Sequence, residues 1–597
     1  MRTWIEECKT NHTSCSKKVD NFLPTRLLDL QAFADGNDIR LASVRLQDHS
    51  GQSQEPEYVT LSHCWGPPEL QPIKTTRQTL QDRRTRIRFA DLPKTFQDAV
   101  RITRELGQRY LWIDSLCIIQ DDEDDWAREA ALMANVYGNA YCTLAALSSA
   151  DSTQGCRLVP NIQENISDLL EFDGKDFYYY YRDFAYKADG EDEDEDEDFD
   201  AIDYYFGYSR VRIFEDEPAE WYKQYGDDPY RHGNYGDSDA PLRNRGWTLQ
   251  ERELSRRNIH FAKKQLLWEC RELKASAQLP WHHKKPEDDF EKRPMRNART
   301  ESRAPNGSIA TRDRWYELME DFSHRDLTYE TDKLPALSGL ARRYQGVFPG
   351  ATYAAGLWSH HLPAALLWRS WGFWHRYPSY IAPTWSWASV QTPISYESQR
   401  LESAPSDHDV QDAPSDYDFG ALKVEEIRAR PKHQDPYGAL NAASLRLSGA
   451  LLASLDPKPQ WKEFNNYPHS GRKVVLTKDG VTVGLLYPDT ADEVTYAGRL
   501  FCLRIRNEPG YSESASSQIS QPLELYESEG GSGDLEDEGS SSDDGDDGNE
   551  RHESGLVMGL VLEEDLDVED GYSRIGLARW VKESLFEDCQ PCSITLL

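Results

Sequence analysis

Between Phe89 and Gly107 the chain reads FADLPKTFQDAVRITRELG, and Phe96, Ala99, Val100, Thr103 and Leu106 recur at helical spacing. The pattern predicts an amphipathic helix over 89–107, with Asp91 as its cap, Pro93 in the first turn and Gly107 as its stop. RYLWIDSLCII (109–119) follows as an apolar run of strand length, closed by the acidic loop QDDEDD. DWAREAALMANVYGNA (125–140) predicts a second helix capped by Asp125, and YCTLAAL (141–147) another strand. YVTLS (58–62) supplies a strand upstream. Strand alternating with helix predicts βαβ units and a mainly parallel sheet.

From about 160 to about 240 the chain turns rich in Tyr, Asp and Gly, which reads as an irregular, partly disordered insertion. NRGWTLQERELSRRNIHFAKKQLLWEC (244–270) then predicts a short helix and two strands, and further helices are expected at 311–323 and 332–345. From about 445, short alternating strands such as KVVLT, VTVGLLY and RLFCLRI predict a β-rich region, broken at about 512–553 and resumed by SGLVMGLVL. The expected organisation is an N-terminal segment (1–57), an α/β domain (58–251), a helical, aromatic-rich extension (252–400) and a β-rich C-terminal domain (440–597).

Length alone demands more than one core, since the chain has 597 residues. Lys and Arg total 68 against 103 Asp and Glu, a net charge of −35. EDEDEDEDFD (191–200) and the stretch 524–553 supply −21 of it, and both read as solvated insertions. Such acidity excludes general binding to nucleic-acid phosphates and disfavours anionic membranes. The most apolar long stretch, GLWSHHLPAALLWRSWGFW, contains Arg369, Pro363 and two histidines, and suits a core better than a membrane span. Ten sparse cysteines and an N-terminus without an apolar signal segment point to a reduced, cytoplasmic protein.

Reactive side chains gather at a few places. YVTLSHCWG runs from a strand into Ser62, His63, Cys64, Trp65 and Gly66, and strand ends are where α/β sheets hold ligands. His63 and Cys64, adjacent in extended chain, should face opposite ways, which opposes a thiolate–imidazole pair. Asp114 ends the strand LWI and suits either ligand contact or turn capping. Glu129 falls inside the apolar arc of its helix, so it must be paired, protonated or working; an arginine such as Arg245 is one partner. Cys8, His12 and Cys15 form C-x3-H-x2-C, but a closed zinc site needs four ligands and no fourth lies nearby, so the segment reads as a capped N-terminal element without metal.

Taken in order, YVTLSHCWG, LPKTFQDAVRITRELGQRYLWIDSLCIIQDDEDDWAREAALMANVYGNAYCTLAA and RGWTLQERELSRRNIHF resemble the heterokaryon incompatibility (HET) domain of filamentous fungi, over about Tyr58 to Glu251. The resemblance implies a role in regulated cell death after non-self recognition between fused cells. It also implies a TIR-like α/β fold, whose enzymatic members cleave NAD at the nicotinamide–ribose bond with a glutamate. In that frame Glu129 is the candidate catalytic carboxylate, carried over by role, because the TIR glutamate lies on a later helix. Ser62, Trp65, Gly66, Asp114 and Arg245 are the candidate substrate contacts: ribose or phosphate at Ser62 and the Trp65–Gly66 backbone, ring stacking at Trp65, phosphate at Arg245. NAD enters as a substrate, and no cofactor is implied. The competing expectations are a non-catalytic module that self-assembles or docks on a sensor protein, and a cysteine-dependent hydrolase.

Overall fold

The computed structural model describes residues 1–16, 22–33, 37–44, 56–156, 178–182, 210–214, 240–263, 266–277, 309–370, 375–396, 421–457, 460–462, 473–490, 499–507 and 556–597. Both acidic runs lie outside these residues, as does nearly all of the 160–240 insertion. Its described parts are one antiparallel pair, β6 (Tyr178–Arg182) with β7 (Arg210–Phe214).

The chain opens with α1 (Arg2–Asn11) and α2 (Thr13–Ser16), followed by β1 (Leu27–Asp29), β2 (Arg40–Ala42) and β3 (Tyr58–Ser62). Next come α3 (Leu80–Thr85), α4 (Lys94–Glu105), β4 (Tyr110–Ile113), α5 (Asp114–Cys117), α6 (Glu123–Asn139) and β5 (Thr143–Ala145). Beyond the insertion lie α7 (Gly246–Leu254), β8 (Arg257–Phe261), β9 (Leu266–Cys270) and β10 (Lys274–Ser276). One eight-stranded sheet takes the order β10-β9-β8-β5-β3-β4-β1-β2.

This sheet corrects the expectation of a mainly parallel one. Its middle, β8-β5-β3-β4, is parallel. Both margins are antiparallel. The margins come from chain outside 58–251: β1 and β2 from the N-terminal segment, β9 and β10 from the region downstream, which also supplies β8 of the parallel middle. Every residue of β3, β4 and β5 is buried, because helices cover both faces of the parallel middle. That is why these strands read as continuous apolar runs.

The predicted helices form with shifted starts. Phe89–Asp91 is a separate 3₁₀ turn in which Asp91 pairs with Arg88, so α4 begins at Lys94 behind Pro93. Gly107 follows at φ +76°, as a helix stop requires. The cap of α6 is Asp122, which accepts from the Asp125 backbone N–H, and Asp125 is itself buried. Residues 109–119 do not run as one strand. The chain turns into α5 at Asp114, whose carboxylate accepts from the Ser115 N–H. Burying Phe96 and Val100 of α4 against the sheet contributes about 1.5–3 kcal/mol for each side chain.

A chain of buried hydroxyls crosses the sheet. Thr60 and Thr143 meet at 2.7 Å, Thr143 and Ser255 at 2.6 Å, and Ser255 donates to the Glu251 carbonyl at 2.6 Å. It ties β3 to β5 and both to the end of α7. Further on, α8 (Ile309–Ser323) and α9 (Ser338–Gln345) form the helical extension. Gly339 allows α9 to approach closely, since a Cβ there would lie 2.6 Å from both Ala134 and the Gln250 amide oxygen.

Among the described residues, the C-terminal region builds a ten-stranded, largely antiparallel sheet that begins at Lys423, earlier than the expected boundary. Leu500–Asn507 and Leu556–Asp565 pair antiparallel, so strands before and after the acidic stretch share this sheet. Arg574 joins it to the aromatic extension. Its guanidinium grips Asp489 at 2.8 and 3.0 Å, donates to the carbonyls of Leu366 and Trp368, and lies 3.6 Å from the Trp368 ring centroid. No helix among the described residues is long and apolar enough to cross a membrane.

Thr143→Val keeps shape and removes the hydroxyl that links Thr60 to Ser255. The buried Thr60 hydroxyl then loses its partner, at a cost of about 1–3 kcal/mol. A lowered urea midpoint with an unchanged slope is the expected outcome of chemical denaturation.

Candidate functional site

In the parallel register Leu61 stands opposite Ile113, so Ser62 and Asp114 leave β3 and β4 at the same level. Ser62, Ala145 and His260 align across β3, β5 and β8. The carboxyl ends of four adjacent strands therefore form one edge, and the exit loop of β3 lies across it.

The two reactive side chains after Ser62 diverge. His63 turns toward α4, edge-on to Phe96 with centroids 4.9 Å apart, and its Nδ1 lies 3.8 Å from Asp114 Oδ1. Burial pushes its imidazole down to about 4, against the pull of the Asp114 carboxylate and with help from Arg245. His63 is thus neutral at physiological pH. Cys64 turns the other way, into an apolar cluster with Ala145, Leu147, Leu242 and Leu267. Burial raises its thiol to about 11, and those of Cys117 and Cys142 to about 12. None is a thiolate near neutrality, so none has the character of a cysteine nucleophile.

Trp65 donates from Nε1 to Asp114 Oδ2 at 2.8 Å, and the Lys74 ammonium lies 5.0 Å from its ring centroid. Gly66 adopts φ +77° with its Cα close over Asp151, where a Cβ would approach the Asp151 Cβ to 2.6 Å. Asp114 therefore both caps the turn into α5 and anchors Trp65. Arg245, just ahead of α7, donates to the His63 carbonyl at 3.3 Å and lies close enough to Cys64 and Glu251 for its charge to act on both. Ser62, Trp65, Gly66, Asp114 and Arg245 thus gather around one strand end.

Glu129 is placed differently. It is buried on α6 with its Oε1 3.5 Å from Arg26, which also binds Asp125 at 2.5 Å and donates to the Cys117 carbonyl. The partner is Arg26, not Arg245. Burial raises its carboxyl above the ordinary value, with Thr25 and Arg26 opposing.

The strand end holds a second carboxyl beside that of Asp114, from Glu251 of α7. It is buried, beside Ser62, Tyr137, Asp114 and Arg245. Burial raises it to about 7, with Asp114 adding to the rise and Ser62 and Arg245 opposing it. Its helical position was a usable signal: Trp247, Glu251 and Leu254 stand at i, i+4 and i+7, one stripe of α7. On the other side of Ser62 lies a small cavity of about 30 Å³, lined by Thr143, Ala145, His260, Arg243, Arg252 and Arg325 among others. Arg252 is paired bidentately with Glu269, and Arg325 with Asp321.

Residues 58–251 match the family model of the heterokaryon incompatibility protein (HET). The chain carries a HET domain. The matched span opens at the first residue of β3 and closes at Glu251, so it encloses Ser62, Trp65, Gly66, Asp114, Arg245 and Glu251 but not His260 of β8. The HET domain's sheet nevertheless extends past it at both margins. This chain is 30% identical over 104 residues to "Heterokaryon incompatibility protein 6, OR allele" of Neurospora crassa, which covers 16% of this chain. The likeness spans about 15% of that relative's length. No solved structure matches the chain.

The raised carboxyl of Glu251 has a sign that can be read in stability. The folded state binds this proton more tightly than the unfolded chain, whose ordinary value is 4.5. Its contribution is fully present below about 4.5 and is lost as pH rises through about 7. His63 works in the opposite sense, losing stability as pH falls from 6.5 toward about 4. Glu251→Gln removes the first effect and leaves the second. The stability difference, wild type minus variant, should fall by about 3 kcal/mol across that window, measured by urea denaturation at several pH values.

Proposed function

We propose that this HET domain is the effector of a regulated cell-death response to non-self recognition. In this reading it acts by hydrolysing the nicotinamide–ribose bond of NAD or a related nucleotide at the ends of β3 and β4. The observation that carries it is Glu251: a buried carboxyl beside Ser62, with its proton affinity raised toward neutrality. Cleavage of that bond develops oxocarbenium-like positive charge, which an adjacent carboxylate stabilises, as in glycoside hydrolysis. A dry surrounding strengthens the effect. A group that titrates near neutrality is available as carboxylate for the charge and as acid for the leaving group or water. Ser62 and the Asp114–Trp65 pair position the ribose side, and Arg245 supplies positive charge for a phosphate.

Glu251 also answers the TIR expectation better than Glu129. It lies on a later helix of the domain, beside the strand ends, whereas the charged neighbours of Glu129 are Arg26, Asp125 and Arg128. Glu129 remains the second carboxylate to test, and its arrangement suits an ion-paired strut of α6.

A second reading, a non-catalytic module that kills by assembling with itself or a sensor protein, is favoured by size. The strand-end cavity of about 30 Å³ holds one water-sized group, against ~300–1,000 Å³ for typical small-molecule sites. Under the catalytic reading the exit loop of β3 must open to admit a nucleotide.

Nicotinamide release by the purified chain and death on expression in a fungal host separate the readings. Glu251→Gln should fold, cut nucleotide cleavage by about 10²-fold or more and abolish killing, while Glu129→Gln retains both. Killing without nicotinamide release, undiminished in Glu251→Gln, would assign the role to assembly.

A further inference from the structure

Cys8 and His12 stand one turn apart at the end of α1, and Cys15 lies in α2. The fourth member of the group comes from far along the chain: Cys270, the last residue of β9. The three sulfurs and the imidazole nitrogen all lie within 4.8 Å of one another, with His12 Nδ1 and Cys270 Sγ at 3.3 Å. The three cysteines are buried. None of the four residues falls within the span matched to the HET family.

We propose that Cys8, His12, Cys15 and Cys270 form a closed, structural zinc site that fastens the N-terminal helices to the margin of the HET sheet. Three thiolates and one imidazole are a complete tetrahedral donor set for zinc. Metal–sulfur bonds of about 2.3 Å and a metal–nitrogen bond of about 2.0–2.1 Å place such donors roughly 3.5–3.8 Å apart. The four atoms are already close to that spacing, and they reach it from three separate elements.

The surroundings suit thiolates. The Leu273 backbone N–H donates to Cys270 Sγ at 3.2 Å, across a tight turn in which the Cys270 N–H donates to the Leu273 carbonyl. Arg257 Nε donates to Cys8 Sγ at 3.2 Å. N–H groups aimed at sulfur are the outer partners that orient and stabilise metal-bound thiolates. Zinc with three thiolates and a neutral imidazole carries one net negative charge. Arg257 also donates to the Cys15 carbonyl, as does Arg256, and Arg271 donates to the Ser14 carbonyl, so three guanidinium groups ring the site. Ser14 in turn donates to Glu272 on the same turn as Cys270. On binding, three S–H bonds break and three S–Zn bonds form, releasing three protons to solvent, while His12 ligates through Nδ1 and keeps its proton on Nε2.

A packed apolar corner would not need an imidazole nitrogen among three sulfurs. A disulfide would use two thiols and leave the third beside His12 without a role.

The full chain, purified without added metal or chelator, should contain close to one zinc per molecule by elemental analysis. Replacing zinc by cobalt should give the intense visible bands of a tetrahedral thiolate site. Cys270→Ser should weaken zinc retention by more than the ~10–100-fold that loss of an outer partner costs. Cys270→His should keep the metal with a shifted cobalt spectrum, and Cys592→Ser, at an exposed thiol, should change nothing. If Cys270→Ser fails to fold, the wild-type zinc content and cobalt spectrum decide. Wild-type protein with no bound transition metal, a mass two hydrogens lighter from a disulfide among these cysteines, or zinc undiminished in folded Cys270→Ser would each overturn the site.

Discussion

The hydroxyl chain from Thr60 through Thr143 to Ser255 is the constraint on which the strand-end geometry depends. A buried hydroxyl without a partner costs more than the bond itself contributes, so the three groups must stay in register. That register sets Ser62 level with Ala145 and His260, and the last link reaches the backbone of Glu251 itself. The side chain of Glu251 is thus delivered to Ser62 by the same contact that closes the sheet. A slip of one residue in β5 would break the chain of hydroxyls and turn its apolar face outward together.

Much of the parallel middle was legible because its elements are locally consistent. Phe96, Ala99, Val100 and Thr103 keep helical spacing, and YVTLS and YLWI are short apolar runs bounded by polar residues. The margins were not legible. β1 is only three residues long and carries no alternation, and it joins the sheet by pairing with β4, some eighty residues later. Cap choice failed for a related reason: QDDEDD offers several equivalent acids. Arg26, remote in sequence, draws Asp125 inward and leaves the capping to Asp122.

The same distinction runs through the site. Ser62, Asp114 and the Trp65–Gly66 turn could be placed from sequence because each follows directly from a strand whose end is visible. Glu251 stood in the quoted helix, yet its burial comes from Tyr137 and Ser62 on other elements, and no single helical wheel contains those. Glu129 showed the converse. Its apolar arc was real, but the partner supplied by the fold is an arginine from the stretch before β1. A charged residue inside an apolar stripe signals that something must compensate it, and spacing alone does not say whether that is a neighbour or a reaction.

The docking of the first two helices also bears on how the chain is made. Ser14 and Glu272, like His12 and Cys270, are 258 residues apart, so these two contacts of the amino-terminal segment form only after β9 and the turn behind it have been synthesised. At about 5–20 residues per second, that wait lasts roughly 13–50 s. During it Trp4, buried in the finished fold, lacks its ring contact with Trp268 of β9. The amino-terminal cover of the HET sheet is therefore completed at β9 only after about 258 further residues have been added to the chain.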